Sequence, residues 1–132
     1  TCVIQRYESS SYLDREGVPV SDWISTLFKR VSRDFKTQEG TSNETLWTVG
    51  IVNIHPAWNP GHSECGEGKY HACSRPYFCD EFRPTLGDKY VSIRIKVDDL
   101  HEWPNASYPH KIAFRAGMVL YECDRQGKEV KP

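Results

Sequence analysis

A chain of 132 residues has the length for one domain with a core able to fold alone, and 38 % hydrophobic with 12 % aromatic residues argues against a disordered polymer. A formal net charge of -1 leaves no overall electrostatic footprint for nucleic acid or an anionic membrane. The longest apolar runs span only a few residues, so neither a transmembrane helix nor a signal-peptide core is expected.

Residues 2–7 (CVIQRY) suit a short strand, and the polar stretch 8–17 reads as a loop, with Pro19 barring an earlier helical start. Val20, Trp23, Ile24, Leu27, Phe28, Val31 and Phe35 then recur at spacings of three and four, which predicts a long amphipathic helix over residues 21–36. Ser21 or Asp22 would cap it. Lys29, Arg30, Arg33 and Lys36 would lie toward its C-terminal end, where the helix dipole favours cations, and they read as a solvated face before a nucleic-acid one.

Residues 46–54 (LWTVGIVNI) read as a strand with a bulge at Gly50, followed by a shaped loop over 55–61 (HPAWNPG). In residues 89–97 the alternation is clean, with Val91, Ile93, Ile95 and Val97 facing one way, which predicts a half-buried strand. Residues 98–103 suggest a turn of helix stopped by Pro104, and 111–115 with 118–123 flank Ala116-Gly117 as a hairpin. A turn at 124–127 would return 128–130 to the sheet. Strand, helix, then many strands predicts a single α+β domain over 1–132: an antiparallel or mixed sheet, one long amphipathic helix and short helices.

Chemistry concentrates in residues 65–82 (CGEGKYHACSRPYFCDEF). The five cysteines, Cys2, Cys65, Cys73, Cys79 and Cys123, form an odd set without a secretion signal, which fits a reducing, cytoplasmic compartment. If residues 69–73 form a strand, His71 and Cys73 project from one face, and a helix starting at Arg75 or Pro76 with Ser74 as its cap folds Cys79 back toward them. Cys65, His71, Cys73 and Cys79 would then close a tetrahedral, structural zinc site.

Residues 66–72 (GEGKYHA) resemble the G-x-G-x-Y-[FV]-A segment of the ADP-ribosyltransferase superfamily, in particular its poly(ADP-ribose) polymerase branch. Leu46-Trp47-Thr48-Val49-Gly50 is similar to that family's first-strand motif L-W-H-G, and residues 118–124 (MVLYECD) resemble its late strand. The likeness spans residues 45–124, dividing the domain into an N-terminal strand and helix (1–44) and an ADP-ribosyltransferase-like core (45–124). It implies a cleft for NAD or a related nucleotide containing Trp47, Thr48, Gly68 and Tyr70, with Tyr70 stacked on nicotinamide. It also makes Glu122 the candidate to stabilise an oxocarbenium-like centre as nicotinamide leaves. Thr48 stands where the family's NAD-anchoring histidine is expected, and Ala116 and Gly117 where its glutamate would be. Two functions follow: a divergent nucleotide-binding domain with transferase or NAD-cleaving activity, or a non-catalytic, zinc-stabilised module that binds a protein partner.

Overall fold

In the computed structural model, which describes residues 11–59, 61, 68–83, 85–103 and 108–130, the stretch expected to be the long helix is a strand, β1 (Trp23–Val31). The buried positions are Ile24, Leu27, Phe28 and Val31, a spacing that a helix face would also give. Here it has two other causes. The register against the neighbouring strand shifts between Ile24 and Leu27, so a bulge supplies the first step of three. Beyond it Leu27 and Val31 enter the main core while Phe28 is buried on the opposite face, supplying the adjacent pair.

With that helix gone, the expected α+β, ADP-ribosyltransferase-like architecture is corrected to a mostly β one. The helices among the described residues are α1 (Ser11–Arg15), inside the stretch expected to be loop, and two 3₁₀ turns, Pro76–Glu81 and Val97–Asp99. The strands after β1 are β2 (Lys36–Thr37), β3 (Thr45–Leu46), β4 (Val52–Ile54), β5 (Tyr70–Cys73), β6 (Lys89–Lys96), β7 (Leu100–His101), β8 (Lys111–Phe114) and β9 (Ala116–Cys123). Seven of them form one sheet in the order β4-β9-β6-β1-β5-β8-β7, and every pairing is antiparallel. A separate ribbon joins β2 to β3.

Residues 46–54 therefore divide between β3 and β4, with Gly50 at positive φ in the intervening turn. The hairpin expected around Ala116-Gly117 is also absent, because β8 pairs with β5 and β7 while β9 pairs with β4 and β6. Only Arg115 separates β8 from β9, so the sheet must curl until these two strands, with three others between them in its order, meet end to end. At this corner Gly117 serves packing: a Cβ there would lie 2.7 Å from Ile93 Cγ2 and 3.1 Å from the Phe114 ring.

The concave side holds the core, with Val91, Ile93, Ile95, Ile112, Phe114 and Val119 from the strands, Trp47 from the ribbon's end, and Tyr12 and Leu13 from α1. The expected alternation of β6 is borne out, since Val91, Ile93, Ile95 and Val97 are all buried. Residues 98–103 give a 3₁₀ turn and then β7, not a capped helix. The turn before Lys128 forms as expected: Asp124 Oδ1 accepts from the Gln126 and Lys128 amides, and Glu129 bridges to Cys123. The strand expected over residues 2–7 and the stop at Pro104 lie outside the described residues.

Candidate functional site

β1 and β5 are neighbours in the sheet but share a single register pair, Phe28↔Cys73. Beyond it, toward Val31 on one strand and Tyr70 on the other, the ladder stops and a cleft opens at the seam. Lys29 spans the gap: its Nζ donates to the His71 carbonyl oxygen at 2.9 Å. The β2–β3 ribbon supplies the opposite wall through Thr37, Gln38, Asn43 and Thr45. Phe35 and Gln38, on either side of β2, both have positive φ, a conformation that costs a non-glycine residue roughly 1 kcal/mol. That cost is met where the ribbon turns over the cleft.

The main lobe encloses roughly 340 Å³, within the usual range for a small-molecule site. Its charged lining is cationic: Lys29, Lys69 and Lys111, with His55 and His71 beside them and no carboxylate among the described lining residues. Lys69 and Lys111 are only 8 % and 4 % exposed. Lys111 Nζ lies 4.8 Å from the centres of both the Phe82 and the Tyr108 ring, and Lys29 Nζ lies over Trp47 at 5.2 Å and Phe114 at 5.8 Å. Burial pulls the Lys29 amine down to about 8, assisted by the charges of Arg83 and Lys111 and opposed by Cys79 and Cys73. Burial, with the Lys69 charge behind it, also lowers His55.

Tyr70 forms one rim. Its ring meets Trp47 edge-on at 4.9 Å and lies 4.8 Å from His55. His55 is brought there by Gly68, whose carbonyl accepts the Asn59 amide; at φ 90, a Cβ on residue 68 would run into the Asn59 carbonyl oxygen. Gly68 thus pins the 55–59 loop against β5 and does not itself line the cleft. Trp47 is fully buried beneath Tyr70, with Nε1 donating to Thr37 Oγ1 at 2.9 Å. Thr48 is half-buried outside the lining, and its carbonyl accepts the Ile51 amide. Glu122 lies on β9 opposite Val91, with β6 and β1 between its strand and β5, and it is not among the residues lining the cleft.

A second lobe shares Lys29, Thr37, Gln38, His71 and Phe82 with the first and reaches Cys73 and Cys79. As expected, Tyr70–Cys73 is a strand and Pro76 opens a short helix, but Arg75 is the N-cap and Ser74 Oγ donates to Glu16 instead. Cys73 and Cys79 are buried free thiols. A hydrogen bond with Cys79, followed by burial, pushes the Cys73 thiol well up, which keeps it protonated. The His71 ring faces Trp103 at 6.3 Å. Among the described residues no three His, Cys, Asp or Glu side chains are placed to hold a metal ion, and Cys65, the fourth expected zinc ligand, lies outside them.

Set against family models, curated proteins and solved structures, the chain matches none. The cleft must therefore be read from its own residues. Sequence reasoning singled out Tyr70, His71, Cys73 and Cys79 here but passed over Lys29, Lys69, Lys111, His55 and the ribbon. Lys29 was assigned to a solvated helix face; only the β-branched and aromatic content of β1 could have warned otherwise. No helix among the described residues is long and apolar enough to cross a membrane.

Proposed function

We propose that this domain binds a phosphate-bearing, nucleotide-like small molecule, NAD among the candidates, in the cleft at the β1–β5 seam. One observation carries the reading: three lysines line a single concave site whose described lining has no acidic side chain. Ammonium groups held on aromatic rings in a partly dry cleft attract phosphate more strongly than exposed ones, because solvent screening is reduced there. The Tyr70 ring at the rim offers an apolar surface on which a base or nicotinamide could lie. Transfer or cleavage through Glu122 draws no support from its place on β9, so binding is the activity proposed.

Native mass spectrometry and calorimetric titration with NAD, ADP-ribose and pyrophosphate test this directly. Binding that weakens with added salt and is lost in Lys111→Glu, with the fold retained by circular dichroism, is the expected result. Failure of all three compounds to bind the folded protein at millimolar concentration, on the order of the weakest useful affinity, would overturn it.

A further inference from the structure

We propose that the cleft takes a phosphate-bearing aldehyde and that the Lys29 amine condenses with its carbonyl carbon to form an imine. This rests on the phosphate-binding reading above and adds a reacting atom to it. Three features of position support the choice of Lys29. It alone among the three lysines of the main lobe also lines the second lobe, so its side chain stands where the two meet. Its Nζ is held on one side by the His71 carbonyl and flanked by the Trp47 and Phe114 rings, which limits its freedom and its hydration. Lys69 and Lys111 are the other two cations of the same lobe, where a phosphate would be met. Burial also raises the fraction of Lys29 present as the free amine, the form that attacks.

The step balances without an oxidant or reductant. The amine lone pair forms a C–N bond as the carbonyl oxygen takes up a proton from solvent. The carbinolamine then loses water, leaving C=N. Protonated, the imine nitrogen keeps one N–H, enough to retain the hydrogen bond to the His71 carbonyl and the charge between the two rings.

Pyridoxal 5′-phosphate is the probe, with borohydride to reduce and fix any imine, and peptide mapping by mass spectrometry to locate it. Lys29 is expected to be labelled at least about tenfold above the exposed Lys96 and Lys128, with pyrophosphate suppressing the label and pyridoxal lacking the phosphate reacting poorly. Mapping uses the unaltered protein, so no variant needs to fold. Lys29→Arg, if folded, should keep pyrophosphate binding and lose the label. Label spread evenly over exposed lysines, or confined to Lys69 or Lys111, while pyrophosphate still binds, overturns the imine and leaves the phosphate site standing. Loss of pyrophosphate binding together with the label overturns both.

Discussion

Lys29 Nζ reaches the His71 carbonyl at 2.9 Å across the gap where β1 and β5 cease to pair, so one side chain both bridges the seam and lines the cleft. That double role sets a charge against burial. An anion in the cleft favours the protonated amine, whereas burial holds the amine at about 8.

Anion affinity is therefore expected to fall as pH rises through about 8. The groups facing Lys29 are Cys73 from β5, Cys79 from the 3₁₀ turn, Arg83 and Lys111; the Cys73 thiol is pushed up and stays neutral across this range. His55, held low by burial, is already neutral at its start. Pyrophosphate titrations at about pH 7 and about pH 9 should differ by roughly tenfold in Kd, with proton uptake on binding at the higher pH. A flat profile would remove Lys29 from the anion site.

The same burial works against folding. The folded-state value for Lys29 lies below that of an unfolded lysine, so between about pH 8 and about pH 10.4 the unfolded chain holds more protons and stability rises with pH. Below that window the cost of the buried charge is present in full. Lys29→Met keeps the apolar stem and should raise stability near neutral pH by about 1 kcal/mol in urea unfolding, while weakening anion binding. A less stable variant would mean that the bond to His71 outweighs desolvation.

Gly68→Ala tests how the cleft is shaped. The positive φ and the contact with the Asn59 carbonyl each oppose a side chain, and backbone cannot give way as a flexible side chain can. The expected loss is about 2 kcal/mol by thermal or urea unfolding. Pyrophosphate binding should weaken as well, because His55 moves with the loop. Gly127→Ala, also at positive φ but with no neighbour closer than 3.5 Å, should cost less. Equal losses would show that the Asn59 contact contributes nothing.

How much of this was legible varied with how local the signal was. β6 is paired on both sides with one face in the core, so its alternation survives in the sequence as an unbroken period of two. β1 is paired on both sides too, yet its bulge and its burial on both faces turned that period into a helical one. Tyr70 and its strand could be read from the run GEGKYHA, and the short helix from Pro76. The cleft could not, because Lys29, Lys69 and Lys111 come from three separate stretches joined only by the order β1-β5-β8. Likewise Ala116-Gly117 looked like a turn because sequence shows that two strands are adjacent in the chain, not that they pair.

Outside the cleft, Asp88 makes a sharp prediction about charge. Its carboxylate, 3 % exposed, accepts from Arg30 Nε at 3.1 Å and Arg83 Nε at 2.8 Å, tying β1 to the loop before β6. Glu39 also holds Arg83, through two bonds of 3.1 and 2.9 Å, but its side chain is 40 % exposed. Geometry alone would rank Glu39 as the stronger partner of Arg83. Burial reverses the order: removing Asp88 leaves the Arg30 guanidinium, 11 % exposed, with Asp80 as its one acidic partner among the described residues, whereas water can replace Glu39. Asp88→Ala should therefore cost about 3 kcal/mol in urea unfolding, and Glu39→Ala less than about 1 kcal/mol. Losses of similar size would show that Arg83, and not the half-buried Arg30, governs the stability of this network.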